Sequence, residues 1–212
     1  MINLILNEDR YENDIRALLM AFYHGEKILV RKNMEASEEE SKPDRILEAL
    51  YVGQGMRLSL RNGDGSLLGE RMISEMPSDR KEGKNMLKSF LYDLLSEVTG
   101  KKLPWGTLTG IRPTKIPMVF LDEGAPKKEA EDYLRQVYKV SEEKIRLCTT
   151  VAENEKRILQ NVDFDNSCSL YVGIPFCPTI CLYCSFSSFP LNVWAGRVED
   201  YLEALFKEIR HV

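Results

Sequence analysis

The spacing of apolar and polar positions changes period several times along the chain, and each change predicts an element. Ile2 to Leu6 is a short strand-like run. Asn7 then stands where a helix cap belongs, ahead of Tyr11, Ile15, Leu18, Leu19 and Phe22 on one helical face, with Gly25 ending the helix. Lys27 to Arg31 and Ile46 to Val52 read as strands, separated by an acidic, solvated loop at Glu35 to Glu40 followed by Ser41, Lys42 and Pro43. Met56, Leu58 and Leu60 alternate with Arg57, Ser59 and Arg61, as a half-buried strand does. Asn62-Gly63-Asp64-Gly65 predicts a tight turn back into Leu67 to Ser74, because these residues tolerate positive φ. A phosphate-cradling reading of the same glycines fails, since no Gly-Lys-Ser/Thr follows and no helix opens there. From about Ser78 the period becomes helical, with Leu87, Phe90, Leu91, Leu94, Leu95 and Val98 in one wide stripe and Gly100 as its stop.

Residues 1–100 are therefore expected to form an α+β domain. Residues 101–165 read as a connector and helical segment. Leu103 to Lys115 is rich in Gly, Pro and Thr, and is read as a rigid connector that opens a helix near Pro113. A sharper reading turns Arg112 and Lys115 toward an acidic substrate group or the barrel. Two helices follow, one striped by Ala130, Tyr133, Leu134 and Val137, the other capped by Ser141. The second carries Ile145, Cys148, Val151 or Ala152, Ile158 and Leu159 on its apolar face, with Cys148 as a small buried hydrophobe. Asp163 to Ser167 is a polar break.

Residues 166–212 open on a continuous apolar run, Leu170 to Ile174, which predicts a buried parallel strand ended by Pro175. Val198, Tyr201, Leu202, Leu205, Phe206 and Ile209 then stripe a last helix from about Arg197. Strand, loop and helix make one βα unit with its functional residues after the strand, as in βα barrels. A complete barrel takes about 250 residues, so the expectation is a truncated one. The expected fold class is thus mixed, α+β in front and α/β behind.

Composition narrows the function classes. A net charge of −4 over 212 residues is not a nucleic-acid footprint, which would be a basic stripe. No apolar run approaches the roughly 18 residues of a membrane span, and Met1 is followed by no basic leader and cleavage signal. Thiols concentrated in one loop of such a chain point to a reducing cytoplasm.

Three of the five cysteines, Cys177, Cys181 and Cys184, stand four and then three positions apart in a loop entered through Pro175 and Pro178. As thiolates they are soft ligands suited to iron–sulfur clusters or zinc. Ordinary clusters use four cysteines, so three leave one metal corner open. A closed four-ligand site that recruits Cys168 or Cys148 is the alternative, and plain structural thiols are a third. Zinc usually draws on two short Cys/His clusters, and this chain has only His24 and His211.

Cys-x3-Cys-x2-Cys with Tyr183 before the last cysteine resembles the radical S-adenosylmethionine (SAM) signature. The leading Tyr171-Val-Gly-Ile-Pro-Phe-Cys177 and the trailing Ser185-Phe186 resemble one branch, the oxygen-independent coproporphyrinogen III oxidase-like proteins. Pro104-Trp-Gly-Thr-Leu-Thr-Gly-Ile-Arg-Pro-Thr-Lys115 narrows this to the HemZ-type coproporphyrinogen dehydrogenases. The resemblance runs through the chain and covers only the front part of the family. It implies a radical SAM oxidoreductase of haem biosynthesis with a partial (βα) barrel, a [4Fe–4S] cluster on Cys177, Cys181 and Cys184, and SAM held by Tyr171 and Tyr183. Tyr171 takes the family's place near the sulfonium and is the residue nearest catalysis. Reductive cleavage of SAM gives a 5′-deoxyadenosyl radical that takes hydrogen from a propionate of coproporphyrinogen III. Loss of carbon dioxide then leaves a vinyl group, toward protoporphyrinogen IX. The implied partners are coproporphyrinogen III or another porphyrin, and an electron donor such as flavodoxin or ferredoxin. The family's later glycine-rich SAM segment is absent from this chain, so the fragment itself is expected to be inactive. Gly173 stands where many dehydrogenases have His, and Phe186 where they have a further Cys. That pair recurs in haem-chaperone relatives, which keep the cluster and haem without decarboxylation.

Overall fold

The computed structural model describes residues 1–32, 42–110, 112–163 and 166–211, so the acidic run at Glu35 to Glu40 lies outside the described residues. Two compact units divide the chain, residues 1–161 and residues 162–212.

The first unit is built on a five-stranded mixed sheet. β1 (Ile2–Leu6) lies between β2 (Ile28–Lys32) and β3 (Arg45–Val52) and runs parallel to both. β4 (Gly55–Asn62) and β5 (Leu67–Ile73) continue outward from β3 as antiparallel neighbours. The register aligns Val30, Leu4, Leu47 and Leu60 in one cross-strand row. Helices α1 (Glu12–Phe22) and α2 (Arg80–Thr99) pack with that face, so the helical stripes and the even positions of β1 meet in one core. Burying each such leucine contributes about 1.5–3 kcal/mol, which is why these periodicities were legible.

Two local readings change. Asn7 does not cap α1; its amide spans to the sheet, accepting from the Tyr51 N–H (2.8 Å) and donating to the Tyr51 carbonyl (3.0 Å). Tyr11 occupies the cap position without a side-chain bond, because the chain takes a further turn before the helix begins. Ser59 is also buried, although its face of β4 carries the polar positions. Its hydroxyl donates to Glu48 (2.6 Å), and the Arg61 guanidinium adds a longer contact to the same carboxylate at 3.5 Å. Long polar side chains cover the middle of that face.

The Asn62–Ser66 turn closes as expected. The Gly65 N–H donates to the Asn62 carbonyl (2.9 Å) with Gly65 at φ +89°, and Asp64 accepts from the Ser66 N–H (2.8 Å). Helix α2 is capped at both ends, by the Asp79 carboxylate on the Glu82 N–H and by Gly100 in the left-handed region.

Beyond Gly100 come α3 (Lys115–Asp122), α4 (Lys127–Tyr138) and α5 (Glu142–Leu159), which pack on one another. A second core joins Leu134, Val140, Ile145 and Cys148 to Trp105, Leu108 and Tyr138. Gly106 sits at φ +56° with its Cα against this layer, where a Cβ would lie 1.9 Å from the Tyr138 carbonyl oxygen. That carbonyl accepts from the Thr107 N–H at 2.8 Å, so it is not free to retreat. Gly106→Ala is therefore expected to cost at least about 1–3 kcal/mol, seen as a lower urea midpoint. An unchanged midpoint would show that the connector yields freely.

The stripe of α5 is shorter than the sequence predicts. Its buried positions stop at Ala152, and Ile158 is 73 % exposed. An 18-residue helix outruns the 8-residue α3 and 12-residue α4 packed on it.

Among the described residues the second unit has two short parallel strands, β6 (Phe176–Cys177) and β7 (Phe189–Pro190), then α6 (Leu191–Trp194), a 3-10 turn at Ala195–Arg197, and α7 (Val198–His211). The expected strand at Leu170 to Ile174 is not formed; Leu170, Tyr171, Val172 and Ile174 are exposed. A buried parallel strand needs partners for its amides on both sides and layers on both faces, and among the described residues this unit offers neither. No described residue of it is buried. The helix expected near Arg197 is present as α7.

Candidate functional site

The loop between Cys177 and Phe189 is pinned at its two ends. Phe176 and Cys177 pair with Phe189 and Pro190, and the Phe189 N–H donates to the Pro175 carbonyl at 2.7 Å. Aromatic rings rather than aliphatic layers hold this closure. Phe176 lies 6.2 Å from Phe189 and 5.4 Å, edge to face, from Tyr201, and Phe189 lies 5.1 Å from Trp194. Tyr201, on the apolar face of α7, also donates its hydroxyl to the Gly173 carbonyl. The last helix is thereby tied to the apolar run ahead of the cysteines.

Inside this frame is an open cavity of about 360 Å³. Tyr171, Gly173, Cys177, Cys184, Phe186 and Tyr201 are among its lining residues. Two of the three motif cysteines thus line one space. Cys181 does not line it and is exposed, as is Cys168. Tyr171 and Tyr183 are 86 % and 90 % exposed, and only Tyr171 borders the cavity. The sulfurs do not converge as the sequence reading expects: among the described residues no three His, Cys, Asp or Glu side chains are placed to hold a metal ion. The polypeptide alone supplies no attraction among three thiols; a metal does, and its binding is coupled to ordering of the site. The donor chemistry fits an iron–sulfur cluster, since three soft ligands occupy one short loop and two already share a cavity.

Two residues absent from the sequence-level site are part of this geometry. Ser188 approaches Cys184, Oγ to Sγ, at 3.6 Å, and lowers its thiol pKa, with the Phe186 backbone as the second cause. Tyr201 was legible only as a member of an amphipathic stripe. A serine four places beyond a cysteine carries no signal of its own.

The remaining singled-out residues lie in the first unit. Arg112, at φ +57°, pairs with Glu155 (3.3 Å), and Lys115 is exposed at the start of α3. Lys88 reaches the same stretch from α2, donating to the Thr109 hydroxyl at 2.8 Å, and burial pushes its pKa down. Cys148 is buried in the second core, where desolvation pushes its thiol up to about 11. In the folded, metal-free protein Cys148 is expected to resist alkylation near pH 8 while Cys168 and Cys181 react, because only exposed thiolate is nucleophilic. Peptide mapping after a short iodoacetamide pulse checks this, and early labelling of Cys148 would contradict its burial.

Among the described residues no helix is long and apolar enough to cross a membrane. No family model and no solved structure matches the chain. A curated protein of Bacillus subtilis (strain 168), described as oxygen-independent coproporphyrinogen-III oxidase-like protein HemZ, is 35 % identical over 133 residues. The match takes in 62 % of this chain and 26 % of that protein, so the chain spans about a quarter of its relative's length. The resemblance to the HemZ type carried by Pro104–Lys115 and the cysteine loop thus meets a curated relative of that description, to which this chain is similar over its matched part.

Proposed function

We propose that this chain supplies the front part of a radical SAM oxidoreductase of haem biosynthesis, oxygen-independent and acting on the propionates of coproporphyrinogen III. Residues 1–100 and 101–165 form its leading domain and connector, and residues 166–212 begin a partial (βα) barrel. One observation carries the reading: Cys177 and Cys184 line one cavity with Tyr171, in the loop whose cysteine spacing resembles the radical SAM signature.

In this reading Cys177, Cys181 and Cys184 would hold a [4Fe–4S] cluster, and Tyr171 and Tyr183 would hold SAM. Held there, the two groups together would supply radical chemistry able to take hydrogen from the substrate. The chain's own residues do the positioning. Tyr201 holds the Gly173 backbone, two residues beyond Tyr171 at the cavity's edge. Ile174, Pro175 and Phe186 give the cavity an apolar side. A porphyrin substrate, a flavodoxin- or ferredoxin-type electron donor and a cytoplasmic location complete the proposal.

A second reading has its own observation. Gly173 and Phe186, the two departures from many dehydrogenases, both line this cavity. A haem chaperone that keeps the cluster without decarboxylation accommodates both.

The test is an anaerobic assay with SAM and a strong reductant, following 5′-deoxyadenosine and vinyl-bearing porphyrin. It is run on this chain alone and on a fusion in which the chain replaces the front part of the Bacillus subtilis relative. The fusion is expected to release both products and the chain alone neither, because its cavity is open. Tight haem binding by the fusion with no vinyl product would select the chaperone. Turnover by the isolated chain would overturn the division of labour.

A further inference from the structure

We propose that Ser188 is a positioning residue for Cys184, its hydroxyl donating to the sulfur when that sulfur is a metal-bound thiolate. The inference rests on reading Cys184 as a cluster ligand. Three atoms form a small triangle in the loop. Ser188 Oγ lies 3.6 Å from Cys184 Sγ and 3.2 Å from the Phe186 carbonyl oxygen, and Cys184 Sγ lies 4.0 Å from the same carbonyl. Two protons serve these contacts while the cysteine is a thiol, one on sulfur and one on the serine oxygen. A metal-bound thiolate has lost its proton and only accepts. The serine proton is then the one left in the triangle, and rotation about the Cβ–Oγ bond turns it from the carbonyl to sulfur without displacing the oxygen.

The backbone holds this arrangement. The Cys184 N–H donates to the Cys181 carbonyl at 3.0 Å, which forms the turn carrying two of the motif cysteines. On the other side Ser188 directly precedes Phe189, whose N–H is tied to Pro175 in the β6–β7 closure. Ser188 and Cys184 also line the same cavity, so the hydroxyl approaches the sulfur from the cavity wall.

The consequence is electronic as well as geometric. Hydrogen bonds to ligand sulfurs are among the factors that set a cluster's potential, because they stabilise the more negative reduced form more than the oxidised one. Supporting groups of this kind also hold a ligand's orientation, and their loss typically weakens metal binding by about 10- to 100-fold. Ser188 should therefore keep the cluster's potential higher than a bare Cys184 would, and favour its retention.

The experiment reconstitutes the 212-residue chain and its Ser188→Ala and Ser188→Thr variants anaerobically with iron and sulfide. Folding is checked by circular dichroism, iron and sulfide are counted, and the midpoint potential is read by mediated titration followed by electron paramagnetic resonance. Ser188→Ala is expected to shift the midpoint to more negative values or to lose cluster, and Ser188→Thr, which keeps the hydroxyl, to stay near wild type. A Ser188→Ala cluster with the wild-type midpoint and iron content would overturn the proposal, as would equal loss in both variants. Wild-type protein that takes up no cluster overturns the site reading itself, and this inference with it.

Discussion

Anaerobic reconstitution of this chain is expected to give a brown, oxygen-sensitive cluster that Cys181→Ser largely abolishes. Cys181 is the informative position because it stands outside the cavity that Cys177 and Cys184 share. If these two cysteines were the whole site, removing an exposed third would change little. If three ligands bind, a hydroxyl in place of a soft thiolate is a poor substitute, and most of the iron is lost. Cys168→Ser and Cys148→Ser are expected to keep the cluster. Cys148 lies in the second core of the first unit, packed with Leu134 and Ile145, and its raised pKa disfavours the thiolate a metal requires. Iron and sulfide counts with the visible spectrum of each variant decide the matter. Equal losses in Cys168→Ser and Cys181→Ser would point to a closed four-ligand site.

The second large effect is on stability. Leu47 is fully buried at the middle of the sheet, paired across β1 with Leu4 and across β4 with Leu60. Leu47→Ala removes transfer free energy and leaves a hole that strands on both sides prevent from collapsing. The expected cost is about 2–5 kcal/mol, a large share of the roughly 5–15 kcal/mol that holds an ordinary domain together. Met72, exposed on β5 of the same sheet, provides the contrast; Met72→Ala should stay within about 0.5 kcal/mol. Urea unfolding of the first unit, followed by circular dichroism, reads both. A loss below about 1 kcal/mol for Leu47→Ala would mean that the Val30–Leu4–Leu47–Leu60 row is not the centre of the core.

The sequence by itself determined most of the first unit. Alternating Met56, Leu58 and Leu60, the Asn62–Gly65 turn and the Leu87–Val98 stripe each obey a local period, and local periods decide strands and helices when a partner surface exists nearby. The same signals placed Ala130 and Leu134 on the buried side of α4, and Ser141 at the start of α5. The tertiary structure decided what depends on a partner. Asn7 has the chemistry of a cap, but the Tyr51 backbone lies within its reach and takes both amide groups. Ile158 fits the α5 stripe, yet it is left 73 % exposed. The site divides in the same way. Cys177, Cys181 and Cys184 announce themselves by spacing, because ligand type and separation are properties of the chain. That two of them line one cavity, that the apolar run at Leu170 to Ile174 stays outside a sheet, and that Ser188 and Tyr201 brace the loop are not. A strand requires neighbouring strands to take its amide hydrogen bonds, and a hydrogen bond between residues such as Tyr201 and Gly173 exists only once the chain has folded back on itself.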